Sequence, residues 1–297
     1  MNSDRRGFLK TLGAAGAGLA LPELPVAHAK PERQISPDAM GVLVDTSYCV
    51  GCRKCEWACE NTHTTPGQNI ESFVNARQFA APRRPDADSF CIVNAYAHPQ
   101  QPGAPVFVKH QCMHCSDPAC ASACIVGALV KEPEGPVSYD AGKCIGCRYC
   151  MVACPFQIPA YEYDDALKPR VMKCSFCFER TKTAGVRPAC VEICPEGCLI
   201  YGRREELLGY ARRRIAERPE RYVDHVYGER EVGGTSWLYL SAVPLAGAIF
   251  PELSIQAPPH LTERVQHGIF KDFFPPLALY AILGGIMWLS RGGDDRK

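Results

Sequence analysis

Residues 143–156 read KCIGCRYCMVACPF, setting Cys144, Cys147, Cys150 and Cys154 within eleven residues and following the last with Pro155. The spacing is C-x2-C-x2-C-x3-C. Three cysteines at two-residue gaps lie on a tight loop able to wrap one corner of a cubic inorganic cluster, offering thiolates together with backbone N–H groups aimed at its sulfides. Cys154, four residues beyond Cys150, sits about 6 Å further on if the chain has entered a helix. It is therefore placed to reach a different cluster. Pro155 suits a segment leaving that turn, because proline cannot continue a hydrogen-bonded helix interior.

The pattern recurs along the 297 residues. Of 18 cysteines, about 6% of the chain, sixteen fall into four groups. They are Cys49, Cys52, Cys55 and Cys59; Cys112, Cys115, Cys120 and Cys124; Cys144, Cys147, Cys150 and Cys154; and Cys174, Cys177, Cys190 and Cys194. Groups one and three share the spacing above, while two and four lengthen the middle gap and keep the last at three. Three chemistries compete. Disulfides fit an exported chain, and structural zinc needs two well-separated short-spaced cysteine pairs, which group four alone supplies as Cys174/Cys177 and Cys190/Cys194. Groups one and three match instead the bacterial ferredoxin run, which Pro155 completes in group three, while Pro195 follows the last cysteine of group four. Iron–sulfur clusters are the expected cofactor. Short β-rich runs at 41–44, 106–108 and 199–201 adjoin the groups, so the recurring unit is strand, loop with three ligands, then helical turn. An α+β fold follows.

The ends of the chain suggest where it works. Arg5 and Arg6 precede Phe8, Leu9 and Lys10 and an apolar, small-residue run to about Leu21, and Ala27-His28-Ala29 supplies a cleavage site. This is the pattern of a twin-arginine export signal over 1–29. Such a signal implies export of a chain already folded with its metal, which argues against disulfides. Cleavage would remove Arg5, Arg6 and Lys10 against Asp4 and Glu23, leaving 30 basic and 30 acidic residues. A neutral mature chain gives no reason to expect a nucleic-acid partner. Residues 273–290 are uncharged and as a helix span about 27 Å, enough to cross a bilayer. Trp288, Lys271 and Arg291 suit its interfaces. A single C-terminal transmembrane helix at 273–290 and a cytoplasmic tail at 291–297 are expected, leaving the body on the periplasmic side of the inner membrane. The run 237–250, broken by Pro244, reads as strand and loop.

The stretches DTSYCVGCRKCEWAC, KHQCMHCSDPACASAC, KCIGCRYCMVACPF, KCSFC, ACVEICP and YGEREVGGTSWLYLS together resemble the four-cluster, ferredoxin-like electron-transfer subunits of exported respiratory oxidoreductases. The nearest look is to the iron–sulfur subunit of periplasmic nickel–iron hydrogenases of the hydrogenase-2 type. The resemblance implies two bacterial-ferredoxin-like two-cluster modules, one nested in the other, within a domain at 40–235, with an extended connector at 236–272. It implies four 4Fe-4S clusters. By position Cys49, Cys52, Cys55 and Cys194 hold one, and Cys59, Cys174, Cys177 and Cys190 a second. Cys112, Cys115, Cys120 and Cys154 hold a third, and Cys124, Cys144, Cys147 and Cys150 the fourth. It also implies hydrogenase small and large catalytic subunits and a quinone-interacting integral membrane subunit as partners, with membrane lipid around the anchor. A molybdopterin enzyme of the formate dehydrogenase or sulfur-compound reductase type is the alternative partner, and a structural zinc protein a remote third reading. Ile125 departs from the proline usual after the fourth cysteine of group two; it loosens the turn and removes no ligand.

Other features carry less. Cys91, within the strand-like 90–93, reads as a small buried hydrophobe, and Cys198 is left over once the ligands are counted. His63 and His114 adjoin cysteine groups but are not needed as ligands. Arg53, Lys54, Lys109, Lys143, Arg148 and Lys173 stand where they could offset cluster charge or simply meet solvent. Residues 205–217 read as an amphipathic helix through Leu207, Leu208, Ala211 and Ile215. No G-x-G-x-x-G after a strand, P-loop or G-x-S-x-G elbow is present, so substrate chemistry is expected elsewhere.

Overall fold

The computed structural model describes residues 35–74, 76–165, 170–183, 185–259, 263 and 274–291. Strand β1 (Met40–Asp45) enters the first cysteine group, which ends in helix α1 (Lys54–His63). Strands β2 (Cys91–Ala97) and β3 (Pro105–Gln111) lead to the second group and its turn α2 (Ala119–Ser122). Strands β4 (Leu129–Lys131) and β5 (Val137–Tyr139) lead to the third, with α3 (Tyr149–Ala153). Strands β6 (Ala160–Tyr161) and β7 (Val171–Met172) lead to the fourth, with α4 (Phe178–Thr181) and α5 (Ala189–Glu192). Then come β8 (Leu199–Arg203), α6 (Arg204–Glu217), β9 (Trp237–Leu240) and, separately, α7 (Phe274–Arg291). The fold is α+β, as expected.

One pairing rule organises these strands: the strand leaving each group runs antiparallel to the strand entering the next. Pairs β2–β3, β4–β5 and β6–β7 make the three links in order, and β8, leaving the fourth group, returns to pair with β1, entering the first. Groups two and three are thus joined by a local hairpin, whereas groups one and four are joined by strands from opposite ends of the domain.

The β1–β8 pair gains a third strand, β9, parallel to β1, with Val42 opposite Trp237 and Val44 opposite Tyr239. Alternation along the strands splits their side chains between two cores. Val42, Val44, Trp237 and Tyr239 face Val108, Met113, Phe176 and the sulfurs of Cys190 and Cys198. Leu43, Leu238 and Leu240, all 0% exposed, face Leu207, Leu208 and Ala211 of α6. The period-3.6 stripe read over 205–217 is what meets this second face. Arg204, at the start of α6, is buried and donates from Nε to Thr235 O (2.7 Å) and from Nη2 to Gly228 O (3.2 Å) and Glu229 O (2.8 Å). It locks the GEREVGGTSW loop onto the helix.

Beyond 235 the structure differs from the expected connector at 236–272. Strand β9 belongs to the main sheet, and Val243, Leu245, Phe250 and Ala257 are buried. The reason is that WLYL is apolar at every position, as a strand buried on both faces must be, and Phe250 then stacks on Tyr227 with ring centroids 5.0 Å apart. Helix α7 forms over 18 residues, close to the expected 273–290. It opens on Pro275-Pro276 and closes on Arg291, and among the described residues no helix is long and apolar enough to cross a membrane. The export signal at 1–29 and the tail beyond Arg291 lie outside the described residues.

Candidate metal centre

The first C-x2-C loop of every group turns at the same place. The residue before the second cysteine is left-handed in all four groups: Gly51 (φ 68°), His114 (49°), Gly146 (70°) and Phe176 (60°). Arg53 (58°) and Arg148 (62°), just after the second cysteine in groups one and three, are left-handed too. Such turns point successive backbone N–H groups into one concavity that receives anionic sulfur. Gly146 N and Phe176 N lie 3.5 and 3.3 Å from Cys144 Sγ and Cys174 Sγ. A further repeat follows the fourth cysteines: Gly127 (63°), Gln157 (53°) and Gly197 (59°) stand three residues after Cys124, Cys154 and Cys194. Ala128 N donates to Cys124 Sγ at 3.1 Å. Group one departs here, because α1 continues through Cys59 for ten residues.

The thiols gather across groups as well as within them. Burial, then the neighbouring thiolates of Cys112, Cys154 and Cys120, push Cys115 well above the usual thiol range. Burial, then Cys144, Cys147 and Cys124, push Cys150 up to about 11. Burial raises Cys174 against the opposing charge of Lys109, with Cys112, Cys190 and Cys177 adding to the rise. Cys59 is raised by its hydrogen bond with Cys91, by burial, and by the charges of Cys91 and Cys174. Cys49, Cys52, Cys55 and Cys194 line one small cavity with Cys198 and Lys109. Cys147 is exposed, while Cys59, Cys112, Cys120, Cys150, Cys174, Cys177 and Cys190 are buried. Among the described residues no three His, Cys, Asp or Glu side chains are grouped as a single metal ion requires, which a zinc site at about 2.3 Å would need. A donor set of sixteen thiols with backbone N–H groups aimed at sulfur fits 4Fe-4S chemistry, and loading it displaces the protons that burial holds on sulfurs such as those of Cys115, Cys150 and Cys174.

Around the sulfurs stand groups whose roles spacing could not assign. Cys198 Sγ lies 3.4 Å from Cys194 Sγ. Its hydrogen bond draws Cys194 down to about 6 and lowers Cys49 as well. Cys91 is buried, as expected, and its Sγ contacts Cys55 O at 3.5 Å. His63 Nε2 sits 3.2 Å from Cys177 Sγ. His114 is wholly buried, accepts from Val137 N at Nδ1 (2.8 Å), and among the described residues its Nε2 has no partner within hydrogen-bond geometry. Of the six cations weighed from sequence, Arg53, Lys109 and Lys173 are buried, and Lys143 and Arg148 are exposed. Lys173 Nζ donates to Val137 O (2.5 Å) and Cys174 O (3.2 Å). Arg53 makes a two-pronged contact with the fully buried Glu56, at 3.0 and 2.6 Å, which Arg83 joins at 2.7 Å.

Residues 104–204 match the 4Fe-4S dicluster domain family. A protein of Nitratidesulfovibrio vulgaris is 46% identical over 262 residues, covering 87% of this chain and 70% of its own length. The hydrogenase-2 operon protein HybA of Escherichia coli O157:H7 is 35% identical over 99% of both chains. The formate dehydrogenase-O iron-sulfur subunit of Escherichia coli is 33% identical over 84% of this chain and 80% of its own. The cysteine loops, the strand pairing that links them and these relatives agree: the chain belongs to the family of ferredoxin-like iron–sulfur electron-transfer subunits that includes HybA and the formate dehydrogenase iron-sulfur subunits.

Proposed function

We propose that the chain conducts single electrons along four 4Fe-4S clusters arranged as two nested two-cluster modules. Cys49, Cys52, Cys55 and Cys194 hold the first cluster; Cys59, Cys174, Cys177 and Cys190 the second; Cys112, Cys115, Cys120 and Cys154 the third; and Cys124, Cys144, Cys147 and Cys150 the fourth. The observation that carries this reading is Cys115, whose neighbouring thiolates are Cys112, Cys120 and, from a different group, Cys154. Bound clusters supply one-electron chemistry. The chain's own part is to offer thiolates, to aim N–H groups at sulfur, and to keep water from the buried ligands. Neighbouring quartets lie within electrostatic reach in order: Cys55 of Cys190, Cys174 of Cys112, and Cys120 of Cys150. The electron's route therefore runs first, second, third, fourth.

The catalytic partner in this reading is a nickel–iron hydrogenase, because the full-length similarity is to a hydrogenase-2 operon protein. The 33% identity to formate dehydrogenase subunits supports a molybdopterin partner as the second reading. The twin-arginine pattern and the run 273–290 support work at the periplasmic face of the inner membrane, held by the C-terminal helix, with a membrane subunit passing electrons to quinone. On α7, Leu279, Tyr280, Ile282 and Met287 are exposed.

Two experiments test this. With electron paramagnetic resonance on redox-poised holoprotein, Cys154→Ala and Cys112→Ala should remove the same reduced-state signal and Cys144→Ala a different one. If Cys154→Ala and Cys144→Ala remove one signal in common and Cys112→Ala another, shared ligation is wrong. Purification of the complex from membranes should bring down a nickel enzyme; a molybdenum enzyme in its place would select the second partner.

A further inference from the structure

Lys109 lies on β3, opposite Val93 of β2, and is only 2% exposed. A lysine so deeply buried ordinarily has a carboxylate beside it, because an unpaired ammonium in the interior is costly. Among the described residues no Asp or Glu lies within ion-pair distance of it. Its Nζ instead donates to Gln111 Oε1 at 3.0 Å and sits 4.7 Å from the centre of the Trp237 ring. The arrangement is rigid. Gln111 Nε2 donates to Tyr239 Oη at 2.6 Å, and Tyr239 Oη donates back to Lys109 O at 2.8 Å.

What surrounds the ammonium is sulfur from two quartets. Cys55 belongs to the first, Cys174 and Cys190 to the second, and the thiol of Cys91, outside every quartet, also faces the ammonium. Lys109 also lines the cavity framed by Cys49, Cys52, Cys55 and Cys194. A loaded 4Fe-4S centre with four thiolates is anionic, and more so when reduced. Beside the Cys91 thiol, which hydrogen-bonds the ammonium, two such centres supply the negative charge that no carboxylate among the described residues provides. We propose that the Lys109 ammonium is the fixed counter-ion shared by the first and second clusters, raising the reduction potentials of both. The inference rests on the quartets assigned above. Cys120 of the third quartet feels Lys173, and Cys115 feels Lys131. Lys109 is not among the leading charges on Cys115, Cys120, Cys150 or Cys154, so the third and fourth centres feel it least. A cation shared by two neighbours lifts both together, so the first hop stays close to level while the step to the third cluster is set by Lys109.

The test is a potentiometric titration of full-length, cluster-loaded protein followed by electron paramagnetic resonance. Cys55→Ala and Cys190→Ala first identify the two signals. If they remove the same signal, the quartet assignment fails on its own account. With two signals identified, Lys109→Met should lower both potentials by at least tenfold in the reduction equilibrium, about 59 mV for one electron. The other two signals should not move. Lys109→Arg should keep all four potentials. Unmoved first and second potentials in Lys109→Met overturn the proposal, as does an equal fall in all four, which marks a general structural change. Should Lys109→Met fail to take up iron, Lys109→Arg decides: potentials kept support the shared charge, and potentials lowered to the same degree as for loss of the cation overturn it.

Discussion

The half of the domain built on groups one and four and the half built on groups two and three share one loop geometry but differ in what holds them together. The first half closes through β1 and β8, adds β9, and packs α6 against the far face of the sheet, so its strands are buried on both sides. The second half rests on two short hairpins, and its core consists of Cys120, Leu129, Val137, Cys150 and Val171. Two of those five residues are expected ligands, and around them Ile125, Ile145, Tyr149 and Val152 are exposed. The same ligand loop is therefore seated once on a hydrophobic core and once largely on the metal it binds. Where the core is thin, metal binding carries the folding free energy.

Removing the iron should expose this difference most strongly. Hydrogen exchange on chelated protein should show amides of 112–163 losing protection by more than about 100-fold, since opening there then costs little, while β1, β8 and β9 change by less than about tenfold. Equal loss in both halves would mean that the sheet and α6 also depend on metal.

The second contrast lies in Arg53 and Arg148, which occupy equivalent left-handed positions in GCR of groups one and three. Arg53 is buried against Glu56, and Glu56 Oε1 also accepts from Val93 N at 2.6 Å. Arg148 is exposed and lies over the Tyr161 ring at 4.6 Å. Glu56→Gln should cost about 3–5 kcal/mol, because it leaves Arg53 buried without its charge partner. Arg148→Ala should cost no more than about 1 kcal/mol, the value of an exposed contact. The thermal midpoint of cluster bleaching measures both, and comparable shifts would dissolve the distinction.

Leu238, 0% exposed between sheet and α6, should lose about 2–5 kcal/mol as Leu238→Ala. Val152, 84% exposed, should stay within about 0.5 kcal/mol as Val152→Ala.

Much of this was legible in the sequence because a cysteine at fixed spacing can be read without its neighbours. The four groups, the strands beside them and the stripe of α6 all depend on local pattern. What could not be read depends on residues far apart in the chain. Group four meets group one only through the β8–β1 pairing. Lys109 and Arg148 are both cations near cysteines, and only the folded chain buries one and leaves the other in water. His114 and Phe176 take the left-handed turn that glycine takes in the other two groups, with nothing in their side chains to announce it. WLYL at 237–240 reads as strand, but its place beside β1 follows from a parallel pairing that leaves no mark on local sequence.

The smallest effect separates two glycines with nearly the same backbone angle. A Cβ on Gly51 (φ 68°) would meet the Phe107 ring at 2.5 Å, whereas one on Gly127 (φ 63°) would meet nothing within 4 Å. Gly127→Ala should therefore cost only the left-handed backbone term, about 1–2 kcal/mol, and leave the iron content unchanged. Gly51→Ala adds a clash with Phe107, whose ring is tilted against Phe79 with centroids 5.2 Å apart, so it should cost more and lower the iron content. Iron content and bleaching midpoints for the two variants give the comparison. Equal costs would show that Phe107 swings aside, and that the first loop is held by its backbone alone.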